Sequence, residues 1–103
     1  MRYNIRRKRS TGPERIVYEI LKELHIPFRH RWRVGRFEID FIIGRYAIDI
    51  DGHPQNGERN HSIAELGYVP IHILNSEITN NRENIKIQLK EIYDTYKFSL
   101  RSI

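Results

Sequence analysis

Apolar residues recur with the spacing of a helix in some segments of this chain and form β-prone runs in others, and each change marks a new predicted element. Helical spacing indicates a first helix over Pro13–Leu24, with apolar residues at 16, 17, 20, 21 and 24. Three β-prone runs follow at 28–34, 37–43 and 46–51. A short helix at 58–66, a strand at 68–74 and a last helix with apolar residues at 85, 89, 92 and 96 complete the order.

Local signals refine several of these elements. Thr11 and Glu14 have the spacing of a capping box, Pro27 ends the first helix, and Pro70 favours an edge position for the fourth strand. Strict alternation divides the first strand into an apolar face and an arginine face. The apolar face holds Phe28, His30, Trp32 and Val34, with Trp32 expected in the core, and the opposite face holds Arg29, Arg31 and Arg33.

The second and third strands form a predicted hairpin that concentrates acidic residues. Gly44 and Arg45 suit a two-residue type II′ turn, and such a turn fixes the register of the strands. All four acids then project from one side of the ribbon, in the pairs Asp40 with Asp49 and Glu38 with Asp51. The other side is apolar and is expected to be buried, with Ile39, Phe41, Ile48 and Ile50.

Like charges directly opposite each other destabilise a sheet, so we expect another group to neutralise these acids. A hard divalent cation is the candidate, because carboxylate oxygens are its preferred ligands. The alternative is the solvated face of an amphipathic hairpin. Such a face normally mixes Lys or Thr with its acids, whereas no cation occurs among the positions on this face: Glu38, Asp40, Ile42, Ala47, Asp49 and Asp51.

Length and composition exclude several other classes of protein. The 103 residues are enough for one domain, and the lack of cysteine rules out disulfides and thiolate metal sites. We find no apolar stretch long enough to span a bilayer and no signal peptide. No membrane partner is therefore expected, and the predicted location is intracellular and cytoplasmic.

The positive charge is concentrated in a short N-terminal arm. The first nine residues hold five of the 18 Lys and Arg residues and no acid, so the net charge of +5 lies in this segment. We therefore predict a flexible basic arm at 1–10 and a single domain at 11–103. An arm of this kind suits a phosphate backbone, although solubility or localisation is an alternative role. The predicted nucleic-acid contacts are Arg6, Arg7, Lys8 and Arg9 in the arm and Arg29, Arg31 and Arg33 in the first strand.

Several of these segments together resemble a nuclease family. The chain is similar to the very-short-patch-repair-like branch of the PD-(D/E)XK nuclease superfamily in Glu14, Ile39-Asp40-Phe41, Ala47-Ile48-Asp49-Ile50-Asp51-Gly52, Glu58-Arg59 and Glu65-Leu66-Gly67-Tyr68-Val69. The likeness extends over nearly all of the sequence from Thr11 to Ile73. It implies an α/β, restriction-endonuclease-like core, in which helices flank a mixed four-stranded sheet in the order α-β-β-β-α-β-α.

The resemblance also implies roles for individual acids. Asp40 and Asp49 correspond to the metal-holding acids of the superfamily, with Mg²⁺ as the cofactor and Mn²⁺ as its substitute. Asp51 stands where this branch often carries Asp and the wider superfamily has Lys, so we add it to the metal ligands. Glu14 matches a helix glutamate that approaches the metal site in relatives, a role that does not exclude capping.

Two positions depart from the family pattern. Relatives usually have a His a few residues beyond the Asp-Gly step, whereas His53 directly follows Gly52, and Asn60 replaces an Asp that commonly follows the helix arginine. With no Lys near the site in sequence, the group that activates water is open. His53 is the candidate for a general base or a phosphate-orienting residue, and His61 is the fallback.

We interpret the chain as a Mg²⁺-dependent endonuclease of bacterial or phage origin that hydrolyses DNA phosphodiesters. Whether it prefers a mismatch, a nick, branched DNA or a specific site is open from the sequence. One alternative is a nucleic-acid-binding module that keeps the fold without catalysis, favoured by the missing Lys, the displaced His53 and Asn60. Another is a structural or assembly protein. Because a domain of this size has one active site, cutting both strands favours a homodimer.

The charge pattern of the arm leads to the first testable prediction. Deleting residues 1–9 should weaken DNA binding on all sequences and flatten the dependence of affinity on salt, because each lost phosphate contact removes about one unit of slope. Binding titrations across a range of salt concentrations measure the slope. A truncated protein with an unchanged slope would show that the arm does not contact the DNA backbone.

Overall fold

The computed structural model describes residues 12–51 and 57–101, with residue 51 described by its backbone alone. The elements in chain order are α1 (Gly12–Glu23), β1 (Arg29–Val34), β2 (Phe37–Ile43), β3 (Tyr46–Asp51), α2 (Gly57–Glu65), β4 (Val69–Leu74), α3 (Asn75–Asn80) and α4 (Arg82–Arg101). The predicted order is confirmed, with one addition. The six-residue helix α3 follows β4 directly and has no side-chain cap, which explains why no capping signal marks its start in the sequence.

The sheet is four-stranded and mixed, as predicted. Its strands lie in the order β1-β2-β3-β4. The first three are antiparallel neighbours, and β4 runs parallel to β3 at one edge, where Pro70 is tolerated. Among the described helices, none is long and apolar enough to cross a bilayer.

The β2–β3 turn has the predicted geometry. Ile43 and Tyr46 face each other across a two-residue loop, and Gly44 has a φ of 60°. Arg45 does not share this positive φ, so the turn is type II′ rather than type I′. The ring of Tyr96 from α4 packs onto Gly44 so closely that a Cβ atom there would collide with it.

The core has two parts, one on each face of the sheet. The larger part packs α1, α3 and α4 against one face and includes Phe41, Ile43 and Ile48. The smaller part lies on the opposite face, where Ile63 of α2 covers Val34, Ile39, Ile42 and Ala47.

These packing partners reveal a break in strand alternation that the sequence does not predict. Ile39 packs in the smaller core, while Phe41 and Ile43 pack in the larger one, so β2 changes face at Asp40. The expectation that Ile39 shares a buried face with Phe41 is therefore wrong. The smaller core also buries Ile42 and Ala47, which the hairpin pattern placed on the acidic face.

The neighbouring strand β1 breaks at the same level. Arg31 has a φ of 55°, which is uncommon for a residue other than glycine. After this residue Trp32 lies 42% exposed, and Val34 is buried in the smaller core. The placement of Trp32 in the core is wrong, because the reversal at Arg31 turns its side chain outward.

The turn generates a prediction about stability. Gly44→Ala should lower the free energy of unfolding by about 1–3 kcal/mol, because alanine disfavours a left-handed φ and its Cβ meets Tyr96. Urea denaturation measures this change. Gly57→Ala is the matched control, since Gly57 begins α2 with open space around it, and this variant should be neutral or slightly stabilising. Equal stability of the two variants would contradict the tight packing at Gly44.

Candidate active site

Each strand contributes one polar residue to a row that crosses the sheet at right angles to the strands: Arg31, Asp40, Asp49 and His72. Asp49 on β3 is directly beside His72 on β4. The regular β2–β3 pairing ends at Phe41 and Ile48, and one further step of the same register brings Asp40 opposite Asp49. On β1 the residue opposite Asp40 is Arg31, because its neighbours His30 and Trp32 pair with the neighbours of Asp40. The ladder of paired residues is interrupted at Asp40 on both of its sides.

Carboxylates replace backbone groups where the ladder stops. The Oδ2 atom of Asp40 accepts a hydrogen bond of 2.7 Å from the backbone N–H of Ile50. The backbone N–H of Asp40 in turn donates to Oδ1 of Asp49, at a longer 3.4 Å. The predicted opposition of Asp40 and Asp49 is confirmed in the structure.

The environment of Asp40 disfavours its negative charge. Burial raises the pKa of this carboxyl to about 6, and the negative charges of Asp49 and Glu14 add to the effect. The hydrogen bond from Ile50 and the charge of Arg31 act in the opposite direction. A positive charge at this position would therefore restore the ionised form.

Asp49 differs from Asp40 because a cation, the Arg59 guanidinium, already faces its carboxylate. This residue is 8% exposed, and its Oδ2 atom accepts a hydrogen bond of 3.0 Å from the Arg59 guanidinium. The same Arg59 nitrogen also donates to the backbone oxygen of Glu38 at 3.1 Å. Arg59 thus ties the first turn of α2 to β2 and β3 beside the candidate site.

Glu14 brings a third carboxylate to the site from α1. Its Oε2 atom lies 2.8 Å from Nε2 of His30 and accepts a hydrogen bond of 3.1 Å from Nε of Arg31. A second guanidinium nitrogen of Arg31 donates to Oε1 at 3.3 Å. Burial pushes the pKa of Glu14 up, but the hydrogen bonds and charges of Arg31 and His30 outweigh burial, and the pKa lies below its ordinary value.

The positive φ of Arg31 explains how two successive strand residues reach one carboxylate. Neighbouring side chains in a regular strand project to opposite faces, yet both His30 and Arg31 contact Glu14. The reversal at Arg31 allows this contact, and the bidentate pairing offsets its conformational cost. Arg31 consequently lies half-buried on the α1 side, whereas Arg29 shares the opposite face with Ile42, and both Arg29 and Arg33 are exposed.

The structure brings together three of the predicted catalytic residues, namely Glu14, Asp40 and Asp49. The side chain of Asp51, residue His53 and the basic arm lie outside the described residues. His61 is exposed on α2 and lies 3.2 Å from the carboxylate of Glu65. Among the described side chains, no group of three or more His, Asp or Glu residues is arranged to hold a metal ion.

Three further residues lie around the candidate site and are not assigned to it by the sequence: His30, Arg59 and His72. His72 does carry a signal, since it is a polar residue between Ile71 and Ile73 in an otherwise apolar strand, and its Nε2 atom lies 2.9 Å from Oδ1 of Asn60. The contacts of His30 and Arg59 depend on tertiary packing and leave no comparable trace in sequence.

Comparison with known proteins gives a similar solved structure. No family model matches the sequence, and no curated protein matches it. The chain is similar to the catalytic domain of the homing endonuclease I-Bth0305I, with 29% sequence identity and a TM-score of 0.69 over 84% of this chain and 98% of that domain. The fold is nuclease-like. The very-short-patch-repair-like assignment stays a prediction.

The two central acids should have opposite effects on stability. Asp40→Asn retains an oxygen that can accept from Ile50 and removes a disfavoured charge, so in the presence of a chelator it should stabilise the protein at pH 7 by about 1–2 kcal/mol. Asp49→Asn should destabilise it, because the Arg59 ion pair is lost. Urea denaturation gives both values.

The pH dependence provides a check on this assignment. The folded pKa of Asp40 is raised, so the wild type loses stability relative to Asp40→Asn as pH rises from about 4 to above 6. Below that window both side chains are uncharged and the difference should disappear. A constant difference between pH 4 and 8 would show that Asp40 is not the source of the effect.

Proposed function

We propose that this protein is a DNA endonuclease that hydrolyses phosphodiester bonds with a divalent metal, Mg²⁺ or its substitute Mn²⁺. The observation that carries the proposal is the opposition of Asp40 and Asp49 across two strands of a nuclease-like fold. The similar solved domain is described as the catalytic domain of a homing endonuclease, which supports DNA as the substrate here.

The donor atoms at this position suit a hard cation. Asp40 and Asp49 offer carboxylate oxygens, and Mg²⁺ in proteins is commonly held by one or two carboxylates together with water and substrate phosphate. The raised pKa of Asp40 supports this fit, because a nearby cation would remove the charge repulsion that Asp49 imposes. When bound, the metal would supply Lewis acidity and a lowered pKa for the attacking water.

The surrounding cations have roles that follow from their contacts. Arg31 is held by two hydrogen bonds to Glu14, so its guanidinium is fixed beside the acids. Arg59 neutralises Asp49 and presents a planar set of donors that matches a phosphate. We assign Glu14 as the positioning residue for Arg31, and Arg31 and Arg59 as candidate phosphate contacts.

The remaining assignments carry the sequence prediction forward. We propose Asp51 as a further metal ligand and His53 as the general base or phosphate-orienting residue. We also propose the very-short-patch-repair-like relationship, a preference for mismatched, nicked or branched DNA, and a homodimer for cutting both strands.

The alternative is a DNA-binding module without catalysis. The ion pair between Arg59 and Asp49 favours it, since Asp49 is already neutralised within the protein. Asp40 argues for catalysis, because its carboxyl is buried at an energetic cost that a purely structural position has no need to carry. Dependence of cleavage on metal and on Asp40 separates the two functions.

Single substitutions of the acids test the proposal. Asp40→Asn and Asp49→Asn should each lower Mg²⁺-dependent cleavage by at least about a hundredfold, because each removes a charge from the reacting centre. The measurement uses supercoiled, mismatched and four-way-junction DNA with and without chelator. Asp94→Asn is the matched control, since Asp94 is an exposed acid on α4 paired with Lys90, and this variant should retain cleavage.

Two results would contradict the proposal. Undiminished cleavage by both acid variants would remove these residues from the active site, and wild-type DNA binding without cleavage in Mg²⁺ or Mn²⁺ would favour the non-catalytic module. Thermal melts with added Mg²⁺ give an independent reading, because metal binding to the folded state raises its stability.

A further inference from the structure

We propose that the outer face of the β1–β2 hairpin binds an unpaired nucleotide of the DNA substrate, with Trp32 stacking on its base. This face consists of Arg29, Trp32, Arg36 and Phe37, and we call it the hairpin surface. The inference rests on the proposed function and adds to it the surface that recognises the preferred DNA. It concerns binding and assigns none of these residues to the chemistry.

Trp32 is the central observation. It is the single tryptophan of the chain, and it lies 42% exposed on β1, at one edge of the sheet. The Arg29 guanidinium carbon lies 4.3 Å from the centre of its ring, within the range of a cation–π interaction. A large aromatic side chain stacked with a cation at the surface is a combination that favours nucleic acid.

The reversal at Arg31 creates this contact. In a regular strand, residues 29 and 32 would project to opposite faces. Their cross-strand neighbours here are Ile42 and Ile39, and both isoleucines pack in the smaller core, so Arg29 and Trp32 share that face of the sheet. The same backbone feature directs Arg31 to Glu14, which makes Trp32 the sequence neighbour of a site residue.

A second aromatic residue continues the surface toward the site. Phe37 on β2 has the Arg36 guanidinium 5.2 Å from its ring centre and the Arg59 guanidinium at 5.1 Å. Arg59 is also bonded to Asp49. Arg59 therefore joins the ring of Phe37 to a candidate metal ligand, Asp49.

Among the described residues, the helix on this face covers β1 only at its last residue, Val34. Ile63 of α2 covers the smaller core, and α2 packs against β4, at the far edge of the sheet from β1. Arg29, Trp32 and Arg36 are accordingly exposed. The surface presents cations and an aromatic ring on the side of the sheet where Arg59 holds Asp49.

These features specify the occupant. Arginines attract the phosphate backbone, and an aromatic ring stacks on any base whose face is accessible. Base faces are covered by stacking within a regular duplex, so Trp32 gains its contact only where a base is unpaired or displaced. Bulged or branched DNA provides such a base, and fully paired DNA does not.

Fluorescence of the single tryptophan tests the proposal directly. Wild-type protein in chelator, which prevents cleavage, is titrated with a paired duplex and with the same duplex carrying one bulged nucleotide. We expect the bulged DNA to quench Trp32 emission and the paired duplex to leave it largely unchanged. Trp32→Ala should lower affinity for the bulged DNA by about 5- to 100-fold, with little change for the paired duplex.

Further variants separate stacking from charge and from misfolding. Trp32→Phe should recover part of the affinity, and Arg29→Ala should weaken binding to both DNAs with a reduced salt slope. Phe98→Ala is the matched control, because Phe98 is a 70% exposed aromatic residue on α4 and lies outside the hairpin surface. Far-ultraviolet circular dichroism melts confirm that each variant is folded.

The outcomes distinguish this inference from the function on which it rests. Wild-type protein that cleaves DNA, with Trp32 emission and Trp32→Ala affinity both unchanged, would overturn the stacking role and leave the endonuclease intact. Failure to bind either DNA at low salt would overturn both. A Trp32→Ala variant that changes self-association in sedimentation, with unaltered DNA affinity, would identify the hairpin surface as an interface between copies and also overturn the proposal.

Discussion

The centre of the sheet is held by a side-chain hydrogen bond in place of a backbone one: the Asp40 carboxylate accepts from the N–H of Ile50. Regular pairing between β2 and β3 stops there, and side-chain oxygens continue the connection between the strands. The exchange leaves two acids close together in a partly buried position. Nearly every polar contact around them lowers the electrostatic cost of that arrangement.

The compensation comes from elements on both faces of the sheet. From β1, Arg31 lies close enough to lower the pKa of Asp40, while Glu14 of α1 holds its guanidinium. From α2, Arg59 neutralises Asp49. This division leaves Asp40 as the acid with the less complete compensation, which is the electrostatic condition expected of a group that meets a cation or substrate. The helices thus stabilise the fold and set the charge balance of the site together.

The sequence was sufficient for features that depend on local chemistry. Gly44 fixed the turn and hence the register that opposes Asp40 and Asp49, and Pro70 correctly indicated an edge strand. It was insufficient where tertiary contacts override local preference. No local pattern marks Arg31 for a positive φ, because the compensating interaction is with Glu14, which is distant in sequence. The burial of Ile39 and the exposure of Trp32 follow from breaks of this kind in the strands, so both were assigned to the wrong environment.

The contact between Tyr96 and Gly44 connects the C-terminal helix to the alignment of the candidate site. A hairpin that slipped by one residue would turn its acids to the other face and would also move Gly44 out of the turn position. A residue with a Cβ atom would then lie beneath the Tyr96 ring, where the close packing leaves no room for it. The packing of α4 is therefore compatible with the correct register of the hairpin and incompatible with the shifted one. A residue outside the candidate site thus contributes to the alignment of Asp40 and Asp49.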